Sequence, residues 1–462
     1  MTRAIKAAGE AAQTFSPYAQ RVANMANSTD RSEAAGPREA LALGDSHVRV
    51  RSILALFAAG LIAALPAHAF AQDLNDANDS VSVRDRPREE YDPLGVRLGG
   101  FTLHGSVGLN VAHNSNVYAE EVNEQDDIIY SLTPRARLQS NWSRHALMLE
   151  GGAGIERYSD LDDEDAETYY AGAVGRLDIG SDTSLTGTAR YAHEVEPRTN
   201  PDALTVAEPV EYDRTELSVS AQHTFSRVRL RGTFAHFEHD YEDAGLIDQD
   251  RRDNEEDRFT ARAEVELTPR IGWIIEASTD EREYDNAPDL NSEGVTYLTG
   301  ININFTDLMR GELTVGQFER DYDFGASNEG TAVAGNVEWY ITRLTTITVF
   351  ASQDGQESGA FVAVPYTATN YGARVDHELM RNVILTGGVS FGERDYENTD
   401  LLGLPYDRED EYMSGDVGVD YIMNRRVAFN VRYRHEELES NGLDRYRDFD
   451  QDVISAGVSL RL

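Results

Sequence analysis

The chain has 462 residues, no cysteine, 81 acidic and 42 basic residues, and a formal charge of −39. The acid excess argues against nucleic acid as a partner, because phosphate binding needs a basic surface. The lack of cysteine excludes disulfides and thiolate metal sites, and it suits export through an oxidising compartment.

Residues 1–48 are polar and alanine-rich, and they show neither a strand pattern nor a core pattern. A signal peptide should start a chain, and the next segment has the features of one. We therefore interpret residues 1–48 as a dispensable extension or a mis-annotated start, with Val48 or Val50 as the true first residue.

A charged start, an uncharged apolar run over residues 53–65 and alternating small residues after it predict a secretory signal peptide over residues 49–71. The apolar run is shorter than the about 20 residues of a membrane-spanning helix. The mature protein is expected to begin at Gln72, or at Phe70. N-terminal sequencing of the exported protein tests this, and recovery of residues 1–48 in it contradicts it.

Residues 72–98 carry mixed charges, two prolines and too few apolar residues to build a core. They precede the first strand of a predicted barrel, so we interpret them as a periplasmic segment at one mouth of its lumen. Electrostatic attraction favours contact of the Arg84, Arg86 and Arg88 side chains with carboxylates in the lumen. Occlusion of the pore, docking of a periplasmic partner and disorder all remain open for this segment.

From residue 99 to residue 462 apolar and polar residues alternate with period two. One segment places Phe259, Ala261, Ala263, Val265 and Leu267 on one face and Thr260, Arg262, Glu264 and Glu266 on the other. This pattern predicts about eighteen strands, from residues 99–113 to residues 450–462. An even number of such strands predicts an all-β, closed antiparallel transmembrane barrel. Its backbone diameter is about 36 Å.

Two kinds of link alternate between the predicted strands. Short links include residues 181–183 and 424–425, and long acidic links include residues 196–211 and 242–255. Outer-membrane barrels have short periplasmic turns and long external loops. The sequence therefore places the acidic loops outside the cell.

Aromatic residues gather at the predicted strand ends, where amphipathic rings form girdles at the two membrane boundaries. The three tryptophans, Trp142, Trp273 and Trp339, lie near short turns. Tyrosines occur where strands enter long loops, at Tyr158, Tyr241, Tyr284, Tyr322 and Tyr396. The pattern predicts a tryptophan girdle at one rim and a tyrosine girdle at the other.

No phosphate-binding loop, dinucleotide fingerprint or zinc-protease motif occurs, so no catalytic, cofactor-binding or metal-binding residue is predicted and the chain is not expected to be an enzyme. His236 and His239 point to opposite faces of a strand, which argues against a shared metal ion. The acidic run over residues 160–165 lacks the glycine and glutamate spacing of a calcium loop. We interpret it as solvated loop charge, with weak divalent bridging to lipid head groups as the alternative.

The polar faces of the strands carry charges of both signs. Such charges either pair across neighbouring strands or line a wet path through the barrel. The candidate pore-lining residues are Arg135, Arg137, Glu150, Arg190, Arg229, Arg231, Arg262, Glu264, Glu266, Glu338, Arg374, Asp376, Asp416, Arg432 and Arg434. Five aromatic residues also fall on inward positions, either as a sugar track or as filling of the wall: Tyr170, Phe237, Phe318, Tyr340 and Phe350.

The stretch from Val83 to Phe101, followed by Asn116-Val117-Tyr118, resembles the start of the outer-membrane proteins called putative beta-barrel porins. Strand endings such as Glu319-Arg320-Asp321-Tyr322 are also similar to that family. The resemblance implies a barrel in the outer membrane of a Gram-negative cell and no cofactor. Relatives occur in exopolysaccharide synthesis and export systems.

The C-terminal strand resembles the signal by which the barrel-assembly machinery recognises its clients. The residues that carry this likeness are Ser455, Gly457, Leu460 and Leu462. The chain departs from the usual pattern because it ends in Leu462 rather than in an aromatic residue. The predicted partners are therefore outer-membrane lipid and this machinery.

The expected function is a channel that passes solutes or a secreted polysaccharide across the outer membrane. A general porin and a polysaccharide conduit with a periplasmic export partner are both compatible with the sequence. A structural or adhesive barrel with an occluded lumen is the alternative from a different class. Transport requires a hydrated polar lumen and selective constrictions, and it requires no catalytic residue.

Overall fold

A computed structural model describes residues 81–200, 203, 208–304, 308–323, 327–357, 365–396, 399–401, 404–406, 408–441 and 448–462. The predicted extension, the predicted signal peptide and residues 72–80 lie outside the described residues. Within the described ranges, no helix is long and apolar enough to cross a membrane.

The structure consists almost wholly of strands. Their bounds are β1 Val96–Leu98, β2 Phe101–Asn114, β3 Asp127–Ser140, β4 Ala146–Tyr158, β5 Ala166–Ile179, β6 Thr183–Val195, β7 Glu211–Phe225, β8 Val228–Tyr241, β9 Asn254–Thr268, β10 Ile271–Tyr284, β11 Ser292–Asn304, β12 Met309–Tyr322, β13 Asn328–Thr342, β14 Thr345–Glu357, β15 Pro365–Met380, β16 Val383–Tyr396, β17 Thr399–Leu401, β18 Leu404–Tyr406, β19 Glu409–Asn424, β20 Val427–Ser440 and β21 Phe449–Arg461. Single 3₁₀ turns lie in three of the links, at Asp162–Glu164, Asp250–Arg252 and Pro288–Leu290.

Nineteen of these strands form one sheet, in which successive strands pair antiparallel. The first long strand, β2, also pairs with the last strand, β21, from Ser106↔Arg461 to Asn114↔Val453. That pairing closes the sheet into a barrel. The short strand β1 pairs beside β2 as an extra strand, so the predicted barrel of eighteen strands is confirmed.

The two faces of the wall differ as period two requires. On β12, Leu313 and Val315 are 37% and 50% exposed on the outer face, whereas Thr314 between them is 2% exposed. Arg262 of β9 reaches Glu312 of β12, a strand that is not its neighbour in the sheet. Contacts that skip strands occur only on the concave side, so the polar face is the interior.

The links confirm the predicted asymmetry between the ends of the barrel. At one end, which we call the short-turn rim, two-residue turns join β7 to β8 and β9 to β10. At the other end, the long-loop rim, residues 115–126, 242–253 and 285–291 form longer links. The chain enters β2 and leaves β21 at the short-turn rim.

The tryptophans lie where the sequence predicts. Trp142, Trp273 and Trp339 are 47%, 43% and 46% exposed, and all three are at the short-turn rim. The Trp142 ring packs edge-on against Phe101, with 5.3 Å between ring centroids. Exposed indoles at one level of an apolar outer wall are typical of a membrane-boundary girdle.

The predicted tyrosine girdle at the long-loop rim is wrong. Tyr284 and Tyr396 are 8% and 3% exposed, and strand register places all five of these tyrosines on the interior face. Two of their hydroxyl groups donate to carboxylates there, Tyr284 to Glu357 Oε1 at 2.8 Å and Tyr396 to Asp410 Oδ2 at 3.3 Å. Tyr169 and Tyr191 occupy outward positions towards this rim instead, at 48% and 39% exposure.

Candidate functional site: the barrel lumen

Strand register places all fifteen predicted pore residues on the interior face. Ten of them make an ion pair, either across strands or along one strand. Arg229 contacts Glu264 at 3.3 Å, and Arg374 contacts Asp376 at 3.6 Å on its own strand. Placement on the inner wall is thus a structural fact, while their role in conduction stays a prediction.

A cluster of charges crosses the middle of one wall. Arg262 Nη1 lies 3.1 Å from Glu276 Oε2 and 2.8 Å from Glu312 Oε1. One guanidinium therefore spans four strands, from β9 to β12. Its fork geometry suits two carboxylates at once, so this cluster braces the wall more than it projects into the lumen.

A second part of the wall, on β3, β4 and β6, offers accessible positive charge. Arg137 and Arg190 share Glu150 at 3.7 Å and 4.0 Å, and their side chains are 48% and 37% exposed. Arg135 lies beside them and is exposed. In the part of the chain that the structure describes, five predicted pore residues make no ion pair: Arg135, Arg231, Glu266, Asp416 and Arg432. Arg231 instead donates to Gln222 Oε1 at 2.7 Å.

Guanidinium groups lie over aromatic rings along the interior, at distances where cation–π attraction acts. Arg190 is 4.7 Å from the centre of the Tyr170 ring, in the middle of the barrel. Arg258 lies 5.6 Å from the Phe237 ring, and Arg252 lies 4.1 Å from the Tyr241 ring at the long-loop rim. Charged and apolar surfaces thus alternate along the wall.

The five predicted inward aromatics divide into two groups. Tyr170, Phe237 and Phe350 are partly exposed to the lumen, whereas Phe318 and Tyr340 are 6% and 5% exposed. The Phe318 ring occupies the space that a side chain at Gly330 or Gly355 would fill. Phe318 and Tyr340 therefore fill the wall, and three residues remain for a track.

A buried network near the long-loop rim escaped prediction. Glu357 of β14 accepts hydrogen bonds from Tyr284 and Arg282 of β10, and Arg282 Nη2 also contacts Glu256 at 2.7 Å. The strand endings Arg282-Glu283-Tyr284 and Arg320-Asp321-Tyr322 put an arginine and a tyrosine on one face. An arginine and a tyrosine two residues apart at a strand end could have predicted a polar interior contact. This spacing does not indicate which strands carry the partner residues.

Ion pairs also hold the long loops. The predicted solvated charge over residues 160–165 is only partly solvated, because Glu164 is 3% exposed and contacts Arg198 at 2.6 Å. In the loop of residues 242–253, burial and the neighbouring carboxylates of Asp240 and Asp250 raise the pKa of Asp253 to about 6. This carboxyl group is therefore more readily protonated than an exposed aspartate.

Residues 82–92, which we call the mouth segment, lie inside the barrel at the short-turn rim. Val83 is fully buried against Ile384 and Ile422, two interior residues of β16 and β19. The Val83 N–H donates to Thr346 Oγ1 of β14 at 3.0 Å. Backbone and side chain together fix the segment to the wall.

The basic residues of the mouth segment meet two lumen carboxylates. Arg84 lies 3.5 Å from Asp376, while Arg86 and Arg88 lie 3.3 Å and 3.7 Å from Glu378. The two carboxylate side chains are only 6% and 4% exposed. The predicted meeting of these arginines with lumen carboxylates is confirmed.

Residues 88–462 match the model of the family described as Putative beta-barrel porin 2. The chain belongs to this family. The porin thus combines a closed barrel, an apolar outer face and a polar lumen, which is the architecture of an outer-membrane channel. Porins are channels rather than enzymes, and the match extends from the mouth segment to the last residue.

Among solved structures, the porin is similar to Pseudomonas aeruginosa OpdK with vanillate, at 12% identity and a TM-score of 0.43, over 78% of this chain and 99% of that chain. It is also similar to P. aeruginosa OccK9 (OpdG), at 15% identity and a TM-score of 0.43, over 78% and 98%. The Acinetobacter baumannii siderophore receptor PirA matches at 8% identity and a TM-score of 0.44, over 78% and 80%. No curated protein matches the sequence.

Proposed function

We propose that this porin conducts an extended, acidic polysaccharide across the outer membrane. The arginine–aromatic pairs along the interior carry the proposal. An aromatic ring offers a flat apolar surface to the carbon face of a sugar, and a guanidinium binds carboxylate through a planar fork. Tyr170 with Arg190 provides both at mid-barrel, within reach of the charges at Arg135 and Arg137.

The fifteen predicted pore residues are the proposed wall of the wet path. Paired charges on neighbouring strands keep water along the interior without a large net field, and the unpaired ones are free to contact solute. The mouth segment narrows this path on the periplasmic side. A periplasmic export partner that displaces the segment is the proposed trigger for polymer passage.

The proposal also includes how the porin is exported and assembled in the outer membrane. The predicted signal peptide over residues 49–71 delivers the chain to the periplasm, and the barrel-assembly machinery then recognises the last strand. Leu460 and Leu462 are 51% and 59% exposed on the outer face, whereas Ser455 and Gly457 have interior register. Before β2 pairs with β21 and closes the barrel, β21 therefore presents an apolar outer face and a free backbone edge.

Conductance block by oligosaccharides tests the proposal. Acidic oligosaccharides are expected to block single channels at lower concentration than neutral ones of equal length. Tyr170→Ala should weaken block by both kinds about tenfold, the effect of losing roughly 1.4 kcal/mol of contact. Arg190→Gln should weaken block by the acidic kind alone.

Tyr297→Ala provides the matched control, because this tyrosine is 62% exposed on the outer face. Ion conduction with no oligosaccharide block favours a general solute porin and contradicts the polysaccharide proposal. No conduction, even after removal of the mouth segment, favours a structural or adhesive barrel with an occluded lumen.

A further inference from the structure

Four carboxylate and imidazole groups come together on the outer face of the barrel, towards the long-loop rim. His193 of β6 lies opposite Asp213 of β7 in the strand register. Glu211 begins β7, and the Glu242 N–H donates to its carbonyl oxygen at 2.9 Å, which extends the ladder between β7 and β8 by one pair. Glu211 and Glu242 therefore face each other across neighbouring strands.

The imidazole of His193 is held in one orientation. Its Nδ1 lies 2.8 Å from Asp213 Oδ1, and Tyr191 donates its hydroxyl hydrogen to the other oxygen of Asp213 at 2.7 Å. The Tyr169 ring stacks on the imidazole with 5.0 Å between centroids and an angle of 16°. Nε2 is thereby directed at the glutamates, 3.4 Å from Glu211 Oε2.

The described residues contain three similar pairs on the same outer face. Histidine and aspartate lie 3.1 Å apart in His113–Asp126, 2.8 Å apart in His236–Asp257 and 2.9 Å apart in His435–Asp452. Tyr433 even donates to Asp452, as Tyr191 does to Asp213. Two further carboxylates converge on the imidazole only at His193 among these four described pairs.

We propose that His193, Glu211 and Glu242 bind a divalent transition-metal ion of the Zn²⁺ class. Ligand atoms of the three residues all lie within 4.8 Å of one another. A neutral imidazole binds through Nε2 while its Nδ1–H donates to Asp213, the usual carboxylate support of a metal-bound histidine. The two glutamates neutralise the ion, and the ion removes the repulsion of two like charges directly opposite in a sheet.

The donor set decides the class of ion. One nitrogen and two carboxylates suit Zn²⁺ and similar ions, whereas Ca²⁺ takes oxygen ligands alone. Asp243, Asp248 and Asp250 form a nearby group of oxygen ligands, all exposed, and this group lacks an oriented nitrogen. The metal at His193 ties β6 and β7 to the first residue of the loop of residues 242–253.

Zinc titration of the full mature porin tests the site, with protein purified in detergent without a histidine tag and freed of metal by chelator. Calorimetry is expected to show one Zn²⁺ bound per chain. His193→Gln and Glu211→Gln should remove this site. Asp213→Asn should weaken it by about 10-fold to 100-fold, the usual loss when a metal-bound histidine loses its carboxylate support.

The other histidine–aspartate pairs supply matched controls, since His236→Gln and His435→Gln should leave zinc binding unchanged. The shift in gel mobility between unheated and heated samples shows whether each variant still forms a barrel. Loss of zinc binding is therefore interpreted only for variants that fold. The proposal is overturned if wild type binds no Zn²⁺, if folded His193→Gln binds as wild type, or if millimolar Ca²⁺ displaces the zinc.

Discussion

A triple variant of the mouth segment, Arg84→Glu with Arg86→Glu and Arg88→Glu, is expected to raise single-channel conductance severalfold. The wild-type arginines contact Asp376 and Glu378, whose side chains are 6% and 4% exposed. Arg88 is itself only 5% exposed, and removing one partner of such a buried ion pair typically costs about 3–5 kcal/mol. Three new carboxylates beside two buried ones should therefore drive the segment off the wall and widen the periplasmic mouth.

Conductance in planar lipid bilayers measures the effect, and two further variants separate it from general damage. Arg97→Glu makes the same charge change at an exposed residue just beyond the mouth segment, and it should conduct like wild type. Adding Glu378→Arg to the triple variant exchanges the charges across the 3.3 Å and 3.7 Å contacts of Arg86 and Arg88, and it should restore much of the wild-type conductance.

Deletion of residues 82–92 gives the upper limit of the change. Val83 lies in a pocket formed by Ile384 and Ile422, so deletion removes apolar contacts as well as charge. The deleted porin should conduct at least as well as the triple variant. A folded deletion variant with unchanged conductance would show that the mouth segment leaves the conducting path open.

The sequence was sufficient for the barrel because its signal is local. Period-two alternation depends on neighbouring residues in one strand, so the segment from Phe259 to Leu267 predicts both faces of β9 without knowledge of any partner. The alternation of short and long links is also visible in the local sequence. The two edge strands of the sheet have no other element to cover them, so the sheet is expected to close on itself. Eighteen strands and both rims were therefore predictable.

The tyrosines at the long-loop rim show how the same rule can be overlooked. Trp273 and Ile275 face outwards on β10, so an even-numbered residue such as Tyr284 must face inwards. The sequence interpretation used the position of Tyr284 at the strand end and neglected its parity. A shift of one residue reverses the face of a strand, so parity should have decided.

Side-chain contacts between strands that are not neighbours could not be predicted from the sequence. Arg262 meets Glu312 and Arg282 meets Glu357 because the curvature of the closed wall brings together strands that are not neighbours. Strand stagger and tilt set these distances, and neither leaves a mark in a single strand. The mouth segment is similar, since the sequence supplied its arginines but not the wall on which they dock.

Leu217→Arg and Ser218→Arg are expected to differ by about 2–4 kcal/mol in the free energy of unfolding, the cost of an arginine facing hydrocarbon near the bilayer midplane. The two residues are neighbours at the middle of β7. Leu217 is 47% exposed on the outer face, whereas Ser218 lies opposite Ala235 on the interior face. An arginine at residue 218 therefore points into water, close to the carboxylate of Glu216.

Reversible unfolding from lipid bilayers in denaturant measures both free energies, with wild type as the reference. Leu217→Arg should lower the free energy of unfolding by about 2–4 kcal/mol relative to wild type. Ser218→Arg should remain within about 1 kcal/mol of wild type, because a lumen position avoids hydrocarbon. Leu217→Ala controls for lost side-chain volume and should cost less than the arginine. Equal destabilisation by the two arginine variants would contradict the assignment of the faces, since adjacent residues at one depth differ only in the side of the wall that they reach.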